Sequence, residues 1–140
     1  MLVEGSSSRI FTVGRRVGMA VAGVMADSRQ LVNRARKEST EYKSLYLDSV
    51  PTKILNERLS NYIQFYTLFS HLRPFGCSVL LGGYDERDGA KLYMIEPSGV
   101  SWGYFGCAIG KNKSAAKTEI EKLNLDNLTC REAINELSKM

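Results

Sequence analysis

The chain has 140 residues, of which 44% are hydrophobic and 24% charged, with a formal net charge of +4. These values suit one domain with a modest core and exclude a wholly disordered chain. The positive excess is spread out: the densest basic run, Arg34, Arg36 and Lys37, is followed by Glu38 and Glu41. It reads as a solvated helix face, and no nucleic-acid partner is expected from it. No stretch approaches about 18 uncharged apolar residues, so no membrane partner is expected either. The three cysteines, Cys77, Cys107 and Cys130, are widely spaced without a CxxC pair, and His71 is the single histidine. A disulfide framework and a zinc site are therefore not predicted. No basic stretch followed by an apolar run opens the chain, so no signal peptide is read there. The expectation is a cytosolic or nuclear protein.

In chain order, residues 1–8 read as a loose polar start and 9–13 as a short strand. Gly14, Arg15 and Arg16 form a turn, and 17–25 is a run of small apolar residues broken by Gly18 and Gly23. That run is predicted to be a fully buried strand closely approached by neighbouring backbone. Asp27 or Ser28 can cap the helix that follows, whose apolar face holds Leu31, Val32, Ala35, Tyr42, Leu45 and Tyr46. Pro51 suits the first turn of a second helix. Along it Ile54, Leu55, Leu59, Tyr62, Ile63, Phe65, Tyr66 and Phe69 recur at three and four, until Arg73-Pro74 ends it. The short link makes the two helices antiparallel neighbours.

The period then changes to that of strands. Residues 77–84 form a strand, 85–89 a hairpin turn and 91–96 the returning strand. A turn at Pro97-Ser98-Gly99 leads to a third strand over 100–109. Asn112 or Ser114 begins a third helix running to Lys122. Thr129 with Glu132 has capping-box spacing and opens a fourth, with Ala133, Ile134, Leu137 and Met140 on its apolar face. That face is still running at the last residue, and the strand at 17–25 calls for partners upstream. The prediction is an α+β body, helices layered on strands, cut at both borders.

Few residues suggest chemistry. The segment 106–112 has the order strand, glycine, helix start that can bind an anion, yet it lacks both GxGxxG and the P-loop pattern. Gly110 there reads as a turn residue. Cys107 lies among apolar strand residues, far in sequence from His71, which makes it a poor nucleophile. No G-x-S-x-G elbow surrounds Ser98, and no cofactor motif is found.

Several longer motifs carry a resemblance. Gly18-Met19-Ala20-Val21-Ala22-Gly23 followed by Ala26-Asp27-Ser28-Arg29, then Arg73-Pro74-Phe75-Gly76-Cys77-Ser78, look like the alpha-type subunits of the 20S proteasome. So do Leu92-Tyr93-Met94-Ile95-Glu96-Pro97-Ser98-Gly99-Val100 and Gly110-Lys111 with Ala115-Ala116-Lys117-Thr118. The resemblance covers essentially the whole chain in order. Its finer part, residues 104–122, is most similar to eukaryotic members at the seventh position of the ring.

The resemblance implies the four-layer αββα sandwich of N-terminal-nucleophile hydrolases, incomplete here. It implies a chain lacking the N-terminal gate tail and first strands, and also the later strands and C-terminal tail. It further implies a non-catalytic structural subunit, since the catalytic members are beta subunits that use an N-terminal threonine. In those, a glycine-serine-glycine turn supports the site. The matching turn here is Gly110-Lys111-Asn112, with lysine in place of serine. The implied partners are neighbouring alpha subunits, the beta ring and, through the intact ring, regulatory caps. The helices at 28–46 and 51–71 would face those neighbours. Candidate interface residues are Arg36, Tyr62, Phe65, Tyr66 and Phe69, some packing inside and some reaching the beta ring. Two competing readings are a small freestanding module with a weakly basic surface and a hydrolase using Cys107.

Overall fold

A computed structural model describes residues 8–139; the loose start assigned to residues 1–7 and the apolar role of Met140 lie outside them. Five strands form one antiparallel sheet in sequence order: β1 (Ile10–Gly14), β2 (Val17–Gly23), β3 (Cys77–Asp85), β4 (Gly89–Ile95) and β5 (Ser101–Gly103). Two helices, α1 (Met25–Tyr46) and α2 (Thr52–Leu68), cover one face. α3 (Lys113–Lys122), a short 3-10 turn at Leu125–Asn127 and α4 (Cys130–Leu137) follow the sheet.

Alternation decides which face is covered. On β2, Val17, Met19 and Val21 are buried, and Gly18, Ala20 and Ala22 point the other way. The register sets Phe11 beside Met19, Met19 beside Leu81, and Leu81 beside Tyr93, so large side chains form rows beneath the helices. Cys77, Val79, Leu81 and Ile95 complete the sheet's contribution. From above come Leu31, Val32 and Ala35 of α1 and Leu55, Leu59 and Ile63 of α2. Each set recurs at three and four, so each helix lays one stripe on the sheet. The helices run antiparallel, as predicted, because Gln30 meets Tyr62 while Glu38 meets Arg58.

Two glycines are required by geometry. Gly23 has φ +131°, and a Cβ there would lie 2.3 Å from the Gly76 carbonyl oxygen. The approach allows Val24 N–H to donate to that same oxygen at 2.9 Å, tying the entry of α1 to the segment before β3. Gly99 has φ +85°, and a Cβ there would lie 2.6 Å from Cβ of Gln64, so the β4–β5 turn tucks tightly against α2.

Several local expectations are corrected. β2 is buried on one face only and stops at Gly23, because Val24 and Met25 enter α1. The residue before α1 is Val24, without a side-chain cap, since Asp27 is engaged elsewhere and Ser28 Oγ donates to the Val24 carbonyl at 2.9 Å. Leu45 and Tyr46 are exposed, because the last turn of α1 extends past the sheet. α2 ends at Leu68, not at Arg73: Phe69 turns extended (φ −115°), and Leu72 N–H bonds back to its carbonyl in a separate turn. β5 holds three residues instead of the predicted ten-residue strand. Past Gly103 the chain leaves the sheet, and Gly106 lies so close to Ile120 of α3 that a Cβ would meet it at 2.7 Å. The capping box of α4 forms as read, with the Glu132 carboxylate accepting from Thr129 N–H at 2.9 Å and Glu132 N–H donating to Thr129 Oγ1. Ile134 and Leu137 on its apolar face are exposed among the described residues.

Candidate functional site

The aromatic stripe of α2 divides into two pairs. Tyr62 and Tyr66 lean toward the buried Phe75, with ring centroids 5.8 and 4.7 Å from it. Their hydroxyls share a hydrogen bond at 3.1 Å, and Gln30 Nε2 donates to Tyr62 at 3.4 Å. The Arg34 guanidinium sits 4.7 Å over the Tyr62 ring. The Tyr66 phenol is pushed up, first by its bond to Tyr62 and then by burial. These two side chains therefore join α1, α2 and the segment before β3. Phe65 and Phe69 point outward, 50% and 43% exposed, with rings 4.8 Å apart. With Leu68, 66% exposed, they make an apolar tip at the end of α2. Arg36 belongs to another surface: it is exposed beside β1, its Nε donating to the Thr12 carbonyl at 3.0 Å. The fold thus does not gather the five candidate interface residues into one patch.

Two charged clusters hold this scaffold, and neither was read from the sequence. Asp27 is buried, and both its oxygens accept from the Arg73 guanidinium at 2.8 Å; one also accepts from Gly76 N–H at 2.8 Å. The Arg73 bonds, then the Gly76 bond, hold the Asp27 carboxyl at about 2 against an ordinary 3.8, with burial opposing. Glu38 is also buried. It bridges Arg34 one turn earlier on α1 and Arg58 of α2, the latter at 3.0 Å, while Arg58 lies over the Tyr42 ring. The usable signal for Asp27 was the Arg73-Pro74-Phe75-Gly76 motif, but its partner lies 46 residues away in the chain.

The turn at Gly110, Lys111 and Asn112 is exposed. Gly110 has φ +105° and packs toward Ala22, and its carbonyl accepts from Lys113 N–H at 3.4 Å. Asn112 stands just before α3, without a side-chain cap, and accepts from Ala116 N–H. Cys107 lies on the sheet face away from α1 and α2, in a cavity of about 350 Å³ with Met94, Glu96, Tyr104 and Lys113. Burial pushes its thiol up, which disfavours a thiolate nucleophile. His71 stands against Phe69 just past the end of α2 and is not among the residues lining the Cys107 cavity, so the two are not brought together. Among the described residues no group of three or more His, Cys, Asp or Glu could hold a metal ion.

A helix pair layered on one antiparallel sheet, with α3 beside Met94 on its other face, matches one sheet and its helices of the N-terminal-nucleophile-hydrolase type of α+β sandwich. A family model described as "Proteasome subunit" matches residues 1–140, and the chain belongs to that family. It is 59% identical over 140 residues to proteasome subunit alpha type-3 of Arabidopsis thaliana, covering all of this chain and 56% of that protein. It is 48% identical over 124 residues to the alpha type-3 subunit of Drosophila melanogaster, covering 89% of this chain and 49% of the relative. With the probable alpha type-7 subunit of Saccharomyces cerevisiae it shares 42% over 143 residues, covering 49% of that protein. The chain spans about half the length of the curated relatives it matches.

Proposed function

We propose that this chain belongs to a non-catalytic structural subunit of the outer alpha ring of the 20S proteasome, of alpha type-3, at the seventh ring position. The observation that carries the reading is identity of up to 59%, running the whole length of the chain, to relatives named alpha type-3. On this reading the 140 residues are part of one domain. The gate tail, the first strands and the C-terminal part lie in the remainder of the subunit.

The work of such a subunit is contact. The apolar tip of Phe65, Leu68 and Phe69 suits packing against the beta ring, because burying large apolar side chains drives association. Tyr62 and Tyr66 support that tip from within. Lys111 occupies the turn position where catalytic members keep serine, which supports a part in protein degradation through assembly and not through bond cleavage. Neighbouring alpha subunits and beta subunits are the direct partners, regulatory caps act through the intact ring, and the cytoplasm and nucleus are the expected locations. Native sizing of a gently prepared lysate tests the reading. The protein should migrate in a very large, stable particle, and recovery of free monomer alone would overturn it.

A further inference from the structure

Among the described residues β1 is an edge of the sheet, and α1 lies alongside it. Arg36 reaches the Thr12 carbonyl, a Cβ on Gly14 would come within 3.0 Å of Ser39 Oγ, and Arg15 and Lys43 line one cleft. Along this flank stand Arg9, Arg15, Arg29, Arg36 and Lys43, all exposed. Positions 29, 36 and 43 recur every seven residues, so they share one side of α1. Among the described residues, the acids beside them gather at the Arg15 end: Asp48 shares the cleft of Arg15 and Lys43 and accepts from the Ser49 amide, while Asp85 and Glu86 line a second cleft with Arg15, Glu86 being paired with Arg16 at 2.7 Å. Lys37, one row away, faces Glu41 at 3.7 Å. The acids on the other side of α1, Asp27 and Glu38, are held by Arg73, Arg34 and Arg58. Among the described residues, Arg9, Arg29, Arg36 and Lys43 take part in no salt bridge, so the row along α1 keeps its positive charge.

The edge itself is partly capped against strand pairing. Val21 N–H donates to the Arg9 carbonyl, so antiparallel alternation turns the N–H and C=O of Ile10 and Thr12 outward. Ser8 Oγ donates to the Ile10 carbonyl at 2.9 Å and accepts from Ile10 N–H at 3.4 Å, while Arg36 takes the Thr12 carbonyl. These caps guard the edge against added strands. What the flank offers a partner is side chains: the cationic row and Ile10, which is 75% exposed.

We propose that this flank is the docking surface for a neighbouring protein chain that presents Asp or Glu along one face of a helix. Seven residues of α1 advance about 10.5 Å, close to the about 11 Å of two turns on a partner helix. Carboxylates at two-turn spacing therefore match the row from Arg29 to Lys43. The same interval is about three steps of a nucleic-acid strand at roughly 3.4 Å per phosphate, so spacing alone does not separate the two; the ring reading favours an acidic protein, and the binding measurement below decides between them. Contact of this kind gives orientation and salt-dependent association more than raw affinity. The proposal rests on the ring reading for the identity of the neighbour, and on the row itself for its chemistry.

The test uses the triple variant Arg15→Glu/Arg29→Glu/Lys43→Glu, which spares Arg9 and Arg36 because they bond to backbone. A second triple, Lys91→Glu/Lys113→Glu/Arg131→Glu, makes the same charge change elsewhere on the surface. Far-UV circular dichroism first establishes that both are folded. Where the first triple is not, Arg15→Gln/Arg29→Gln/Lys43→Gln replaces it. In the intact subunit, the first triple should enter the large particle at least about tenfold less than wild type, while the second enters normally. Equal entry of the first triple and wild type, or equal depletion of both triples, would overturn the proposal. Binding by the free chain is measured in parallel, against a helical peptide with Glu every seven residues and a DNA duplex of similar length. Salt-sensitive preference for the peptide, lost in the first triple, supports the row, and preference for the duplex overturns it. Absence of wild type from the particle refutes the ring reading alone, since the peptide measurement still decides the chemistry of the flank.

Discussion

Replacing Asp27 by Ala removes the staple between the first turn of α1 and the segment before β3. The carboxyl is held at about 2 against 3.8, which converts to roughly 2.5 kcal/mol at about 1.36 kcal/mol per unit. Arg73 is 70% exposed, so solvent screening lowers the usable amount to about 1.5 kcal/mol. The pKa is depressed in the folded state, so this stabilisation is present above about 3.8 and is lost as pH falls through about 2. Urea unfolding followed by circular dichroism, on wild type and Asp27→Ala between about pH 6 and pH 2, reads the effect directly. The stability gap should be about 1.5 kcal/mol at the neutral end and shrink toward the acid end. Arg73→Ala should destabilise wild type less than Asp27→Ala does, and have almost no effect when Asp27 is already Ala. A gap that stays constant across this range, or full additivity of the two substitutions, would show that Asp27 and Arg73 do not form a stabilising pair.

Glu38→Ala leaves Arg34 and Arg58 without their shared carboxylate and should cost about 2 kcal/mol, read from a thermal melt. Gly23→Ala drives a Cβ into the Gly76 carbonyl and should cost at least about 3 kcal/mol. Gly89→Ala, at φ +71° with open space around it, should cost only about 1 kcal/mol, so equal costs at the two sites would contradict the close approach. Thr129→Ala opens the capping box and should destabilise α4 by about 1 kcal/mol, visible as faster amide exchange in Cys130–Leu137. Phe65→Ser with Phe69→Ser should change the stability of the free chain by less than about 1 kcal/mol and still reduce entry into the particle.

Patterns carried by neighbouring residues were legible in the sequence. The alternation of β3 and β4, the stripes of α1 and α2 and the capping box at Thr129 each depend on spacing within a few residues, and the structure forms them. Features that depend on distant partners were not legible. Asp27 looks like a helix cap until Arg73 and Gly76 are folded beside it. Residues 100–109 read as one strand after the turn at Pro97-Ser98-Gly99, but pairing stops at Gly103, and Gly106 packs against Ile120. The aromatic stripe of α2 was visible as a stripe, yet its division into inward Tyr62 and Tyr66 and outward Phe65 and Phe69 depends on where Phe75 sits. The family motifs pointed to interface residues without locating them. Arg36 lies beside β1, away from the aromatic tip, because the α1 positions that face α2 are taken by Gln30, Arg34 and Glu38.

On the proposed reading the protein serves by being built into a ring. Affinity purification of the tagged subunit from cells, followed by native mass measurement and peptide identification, tests this most directly. The expected result is a particle in which alpha-type and beta-type subunits are recovered in fixed proportion with the tagged protein. Recovery of the tagged protein alone, or with unrelated partners in variable amounts, would contradict it.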